Sequence, residues 1–71
     1  MLAGITATAR QLHAHETELT ERQEDGRPTK LIAYRIAATE AALAHLGDVA
    51  REGGLTDREI EVAIDRGYQP A

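Results

Sequence analysis

A chain of 71 residues without cysteine has room for one domain and a core of marginal size, with no disulfide or thiolate metal site to reinforce it. Eight Lys and Arg stand against twelve Asp and Glu, a formal charge of −4, and the basic residues from Arg10 to Arg66 form no run, which argues against nucleic-acid phosphates as the main partner. Alanine is abundant, Phe and Trp are absent, and no stretch approaches ~18 uninterrupted apolar residues, so the expectation is an all-α, cytoplasmic protein with no membrane span and no secretory leader.

The spacing predicts a first helix over 3–24. Leu2, Ile5, Ala9, Leu12, Glu16, Leu19 and Gln23 recur at alternating steps of three and four, a narrow seam with two polar positions late in it. Gly26 suits the left-handed residue after a helix end. Residues 25–29 then form a turn, in which Pro28 fits the start of the next helix and Thr29 offers a capping oxygen.

The second helix is predicted over 30–51, ending before Gly53-Gly54. Ile32, Ile36, Thr39, Leu43, Leu46 and Ala50 form one stripe, and Leu31, Tyr34, Ala38, Ala42, His45 and Val49 form a second beside it. Ala33, Ala37, Ala41 and Ala44 fill much of the remaining circumference. A helix this apolar is expected in the middle of an assembly.

The third helix is predicted over 57–66. Thr56 and Glu59 have capping-box spacing, and Leu55 and Ile60 sit where a hydrophobic staple needs them. Gly67 reads as the left-handed stop, Tyr68 as folding back on Ala63 or Ile64, and Pro70 as preventing continuation. In this segment Leu55, Thr56, Arg58, Glu59, Glu61 and Val62 resemble the opening of the LuxR-type helix-turn-helix domain, which commonly begins Leu-Thr-x-Arg-Glu-x-Glu-Val. The resemblance covers eight residues and shares half of them with the capping box. In that family two more helices follow, the last entering the major groove. These 71 residues hold no counterpart to that helix, so DNA binding is not carried over.

A short turn makes the first two helices an antiparallel hairpin, with Leu19 near Ile36, Leu12 near Leu43, Ala9 near Leu46 and Ile5 near Ala50 or Val49. This hairpin covers one stripe of the second helix. The third helix is expected to shield Val49 and its neighbours but not Leu31 and Tyr34. Burying Leu31, Tyr34 and Ile36 from each of two chains offers ~9–18 kcal/mol gross, against ~4–15 kcal/mol for association. The expectation is therefore a homodimer of hairpins resembling a four-helix bundle, with Leu31, Tyr34, Ile36, Ala38, Ala42, His45 and Val49 as its interface. A separate protein partner is the other way to cover that surface.

Glu16 occupies a seam position opposite Thr39 and near Arg35, and the three together read as a polar layer that fixes register. His13 and His15 point to opposite sides of a helix, and neither HExxH nor Glu-x-x-His spacing occurs, so no metal or cofactor is expected. No nucleophile has a base beside it and no Gly-rich phosphate loop is present; the chain reads as non-enzymatic. The functional expectation is a small protein–protein interaction module, a regulator or adaptor of bacterial or phage kind, with Glu18, Glu21, Glu24 and Asp25 forming an acidic hairpin tip. The alternatives are a nucleic-acid-binding hairpin dimer that pools Arg10, Arg22, Arg27, Lys30 and Arg35, and a structural subunit of a larger assembly.

Overall fold

The computed structural model describes residues 1–70, which form three α-helices: α1 (Leu2–Glu24), α2 (Lys30–Glu52) and α3 (Asp57–Tyr68). The chain is all-helical, and two of its helix ends are set by glycine. After α1, Gly26 adopts φ 69°, the Arg27 amide donates to the Arg22 carbonyl at 2.9 Å, and the Gly26 amide donates to the Gln23 carbonyl at 3.3 Å. After α2, Gly54 adopts φ 95°, and the Leu55 and Gly54 amides donate to the Ala50 and Arg51 carbonyls, both at 3.0 Å. Both are Schellman turns, which need the left-handed conformation that only glycine adopts without strain. The second turn also delivers Leu55 to the core beside Ala50.

The start of α3 is closed by side chains. The Glu59 amide donates to Thr56 Oγ1 at 3.2 Å, and the Thr56 amide donates to Glu59 Oε1 at 3.1 Å. Together they form a complete capping box. Thr29, by contrast, makes no side-chain cap for α2, contrary to the expectation. At φ −116° and ψ −2° its backbone lacks the extended form that aims a capping hydroxyl at the following amides.

Ile5 near the start of α1 shares a buried cluster with Ala50 near the end of α2, together with Ile60 and Ala63 of α3. α1 and α2 are therefore antiparallel. α3 runs parallel to α1: Thr6 Oγ1 donates to the Ala63 carbonyl at 2.8 Å, and further along Tyr68 Oη donates to Glu16 Oε1 at 2.8 Å. α2 and α3 each pack on α1 and touch one another little. The central helix is thus α1 rather than the more apolar α2. The result is elongated, with principal-axis extents of 44 × 23 × 14 Å.

Gly67 explains how α3 lies so close to α1. The sequence reading made it a left-handed stop residue, but it lies inside α3, buried and without a positive φ. A β-carbon there would come within 2.6 Å of Ala9 Cβ and 2.7 Å of the Thr6 carbonyl. The glycine makes room for a neighbouring helix, and α3 continues to Tyr68. It ends because Gln69 is extended, at ψ 148°, as a residue before proline prefers.

Candidate interaction surface

Ile32 is buried against α1, and taking it as zero on the helical wheel separates the flanks of α2. A shallow groove toward α3 is lined on the α2 side by Glu40, Leu43, Ala44, Gly47, Asp48 and Arg51, with Leu12, Ile60 and Ile64 across it. Those α2 positions fall at about 20–160° on the wheel. Tyr34, Leu31, Ala38, Ala42, His45 and Val49 fall at about 200–280°, on the other flank. α3 therefore lies on the wrong side of α2 to shield any part of the second stripe, which corrects the expectation for Val49.

The consequence is exposure. Leu31 is 60% and Tyr34 72% accessible, and Ala38, Ala42 and His45 are exposed with them. Val49 and Ile36 are half-buried; Ile36 leans toward α1 rather than outward. Of the seven interface candidates, five stand in solvent along one flank of a 23-residue helix. Near the tip the hairpin is only two helices wide, since α3 ends at Tyr68, level with His13 and Glu16 of α1.

The three polar-layer candidates do not meet. Thr39 is buried, but its hydroxyl donates to the Arg35 carbonyl of its own helix at 2.8 Å. Arg35 is exposed and makes no ion pair among the described residues. Glu16 is instead engaged by Tyr68, whose ring also packs on His13 at 4.9 Å between centroids. Burial, then the hydrogen bond and charge of Glu16, with a smaller contribution from Glu40, push the Tyr68 phenol up to about 12. The sequence reading kept Tyr68 within its own helix and so missed this contact.

Charged side chains elsewhere mostly serve the frame. Arg51 Nε donates to Asp57 at 2.6 Å and its terminal nitrogen to Asp48 at 3.0 Å, bracing the turn between α2 and α3. Those carboxylates hold the guanidinium proton even more firmly than usual. Arg22 pairs with Glu18 and Arg27 with Asp25 at the hairpin tip. Arg10 lies far from them, in an α1–α3 groove that Arg58 and Arg66 also line, and among the described residues these three have no carboxylate partner. Within one chain, then, Arg10 stands apart from Arg22, Arg27, Lys30 and Arg35 of the nucleic-acid alternative.

Among the described residues no three His, Cys, Asp or Glu side chains are grouped to hold a metal ion, and no helix is long and apolar enough to cross a membrane. Comparison with protein-family models, curated proteins and solved structures finds no match to this chain.

Proposed function

We propose that this protein is a non-enzymatic protein–protein interaction module that works as a homodimer, the outer flank of α2 being its contact surface. The observation carrying this reading is the exposure of Leu31 and Tyr34 on a flank that no other helix of the chain reaches. Exposed large side chains are ordinary when scattered, but here they continue into Ala38, Ala42 and His45 along one line. A smooth alanine-rich centre with larger groups toward its ends lets a second helix lie close.

The strength of the contact follows from how much remains exposed. With Ile36 already half-buried, Leu31 and Tyr34 from two copies supply about 6–12 kcal/mol gross. Association costs an estimated 4–15 kcal/mol, so gain and cost nearly balance. The dimer belongs in the concentration-dependent range. Light scattering across a dilution series tests this: the mass should rise from one chain toward two with concentration, while Leu31→Glu and Tyr34→Glu stay monomeric with unchanged helix content. A wild-type mass of one chain throughout would overturn the reading. Such a module has the dimensions of a small regulator or adaptor of bacterial or phage type, with Glu21 and Glu24 of its tip exposed toward a basic partner surface.

A second reading is favoured by Arg10, Arg58 and Arg66 of the α1–α3 groove, which have no carboxylate partner among the described residues. An anionic partner, nucleic acid among them, would bind there with an affinity that falls steeply as salt rises. Fluorescence anisotropy of labelled DNA and RNA oligonucleotides at two salt concentrations separates this from the first reading, which predicts no binding.

A further inference from the structure

Resting on the homodimer reading, we infer that the two copies of α2 run antiparallel across a two-fold axis near the level of Glu40, placing Lys30 of each copy within one helical turn of Glu52 of the other. The first reason is self-complementarity under reversal. Exchanging each position about residue 40 sets Leu31 against Val49 and Ala38 against Ala42, with Tyr34 one residue out of register with His45. Large groups meet large groups at both ends, and alanines meet at the crossing.

The second reason is electrostatic. Glu16–Asp25 contains five carboxylates, Glu16, Glu18, Glu21, Glu24 and Asp25, and one arginine, Arg22. Across the turn Arg27, Lys30 and Arg35 bring the tip half of the hairpin, residues 16–35, to a net −1, with its carboxylates gathered on α1 and the turn. A parallel pair would hold two such acidic segments at the same end. The antiparallel pair sends them to opposite ends of a helix about 34 Å long, well beyond a Debye length of about 8 Å at physiological salt. It also opposes the two helix dipoles instead of aligning them.

The third reason concerns the helix ends. Lys30 has no carboxylate partner among the described residues. In the last turn of α2, Arg51 is already held by Asp48 and Asp57, leaving Glu52 as the unpaired charge. Reversal brings Lys30 to Glu52; parallel pairing would bring each to its own kind.

Because the chain has no cysteine, the arrangement is open to disulfide mapping. Lys30→Cys and Glu52→Cys, one carrying a mass tag, are oxidised mildly each alone and as an equimolar mixture, beside wild-type light scattering. The inference expects the mixed disulfide to exceed both like disulfides several-fold. Like disulfides forming as readily, or no disulfide despite a dimeric wild type, would overturn the antiparallel arrangement and leave the dimer standing. A wild type that stays one chain at every concentration would overturn the dimer itself.

Discussion

At Gly67 the chain holds two backbones closer than any side chain permits, and this contact decides which way α3 lies. Gly67→Ala should lower stability by about 1–3 kcal/mol, because the new methyl group meets Ala9 and the backbone of α1. Gly4 is the internal control: it is helical with nothing near its missing β-carbon, so Gly4→Ala should add about 0.5–1 kcal/mol. Urea titrations of both variants check the opposite signs. Tyr68 supplies a pH signature. Its folded-state pKa is raised, so the neutral phenol is the form that the fold favours, and that contribution is fully present below about pH 10. It is lost as pH rises through about 12, and thermal denaturation from pH 9 upward should show a steeper fall for wild type than for Tyr68→Phe; parallel curves would contradict the Glu16 contact. Neither role was legible in the sequence. A glycine near a helix end is most simply read as a terminator, and only the position of α1 shows it to be a spacer.

The helices themselves were far easier to read. Apolar recurrence at three and four residues, glycine pairs and a capping box locate all three, because each signal acts within a few residues of chain. The antiparallel register of Ile5 with Ala50 was likewise accessible, since a short turn leaves little freedom. The flank taken by α3 was not. Thr6, Arg10 and His13 give α1 a polar side that does not announce an interface, yet small residues at Ala9, Ala63 and Gly67 make that side the one α3 can approach. For the polar layer, Glu16 takes its side-chain hydrogen bond from Tyr68 of α3 and pairs with no residue of α2 among the described residues. At this scale Thr56→Ala should cost about 0.5–2 kcal/mol, because it uncaps the Glu59 amide at the start of the helix that closes the core. An unchanged urea midpoint would show that the capping box contributes nothing to the fold.

For the whole molecule, the finding that matters is that α1, the helix poorer in apolar residues, sits centrally while α2 lies at the edge. At the edge α2 is packed on one side only, and it keeps its other apolar flank in water. The sequence reading anticipated too much apolar surface along α2, and it misjudged only which part of the chain would cover the rest. Concentration-dependent amide spectra of ¹⁵N-labelled protein test the resulting account most directly, because they report residue by residue where a second copy arrives. The account predicts that amide shifts of Leu31, Tyr34, Ala38, Ala42 and His45 move together on dilution while those of Arg58, Val62 and Arg66 stay fixed. Spectra that do not change with dilution, from a molecule tumbling as one chain, or changes confined to the α1–α3 groove, would contradict it.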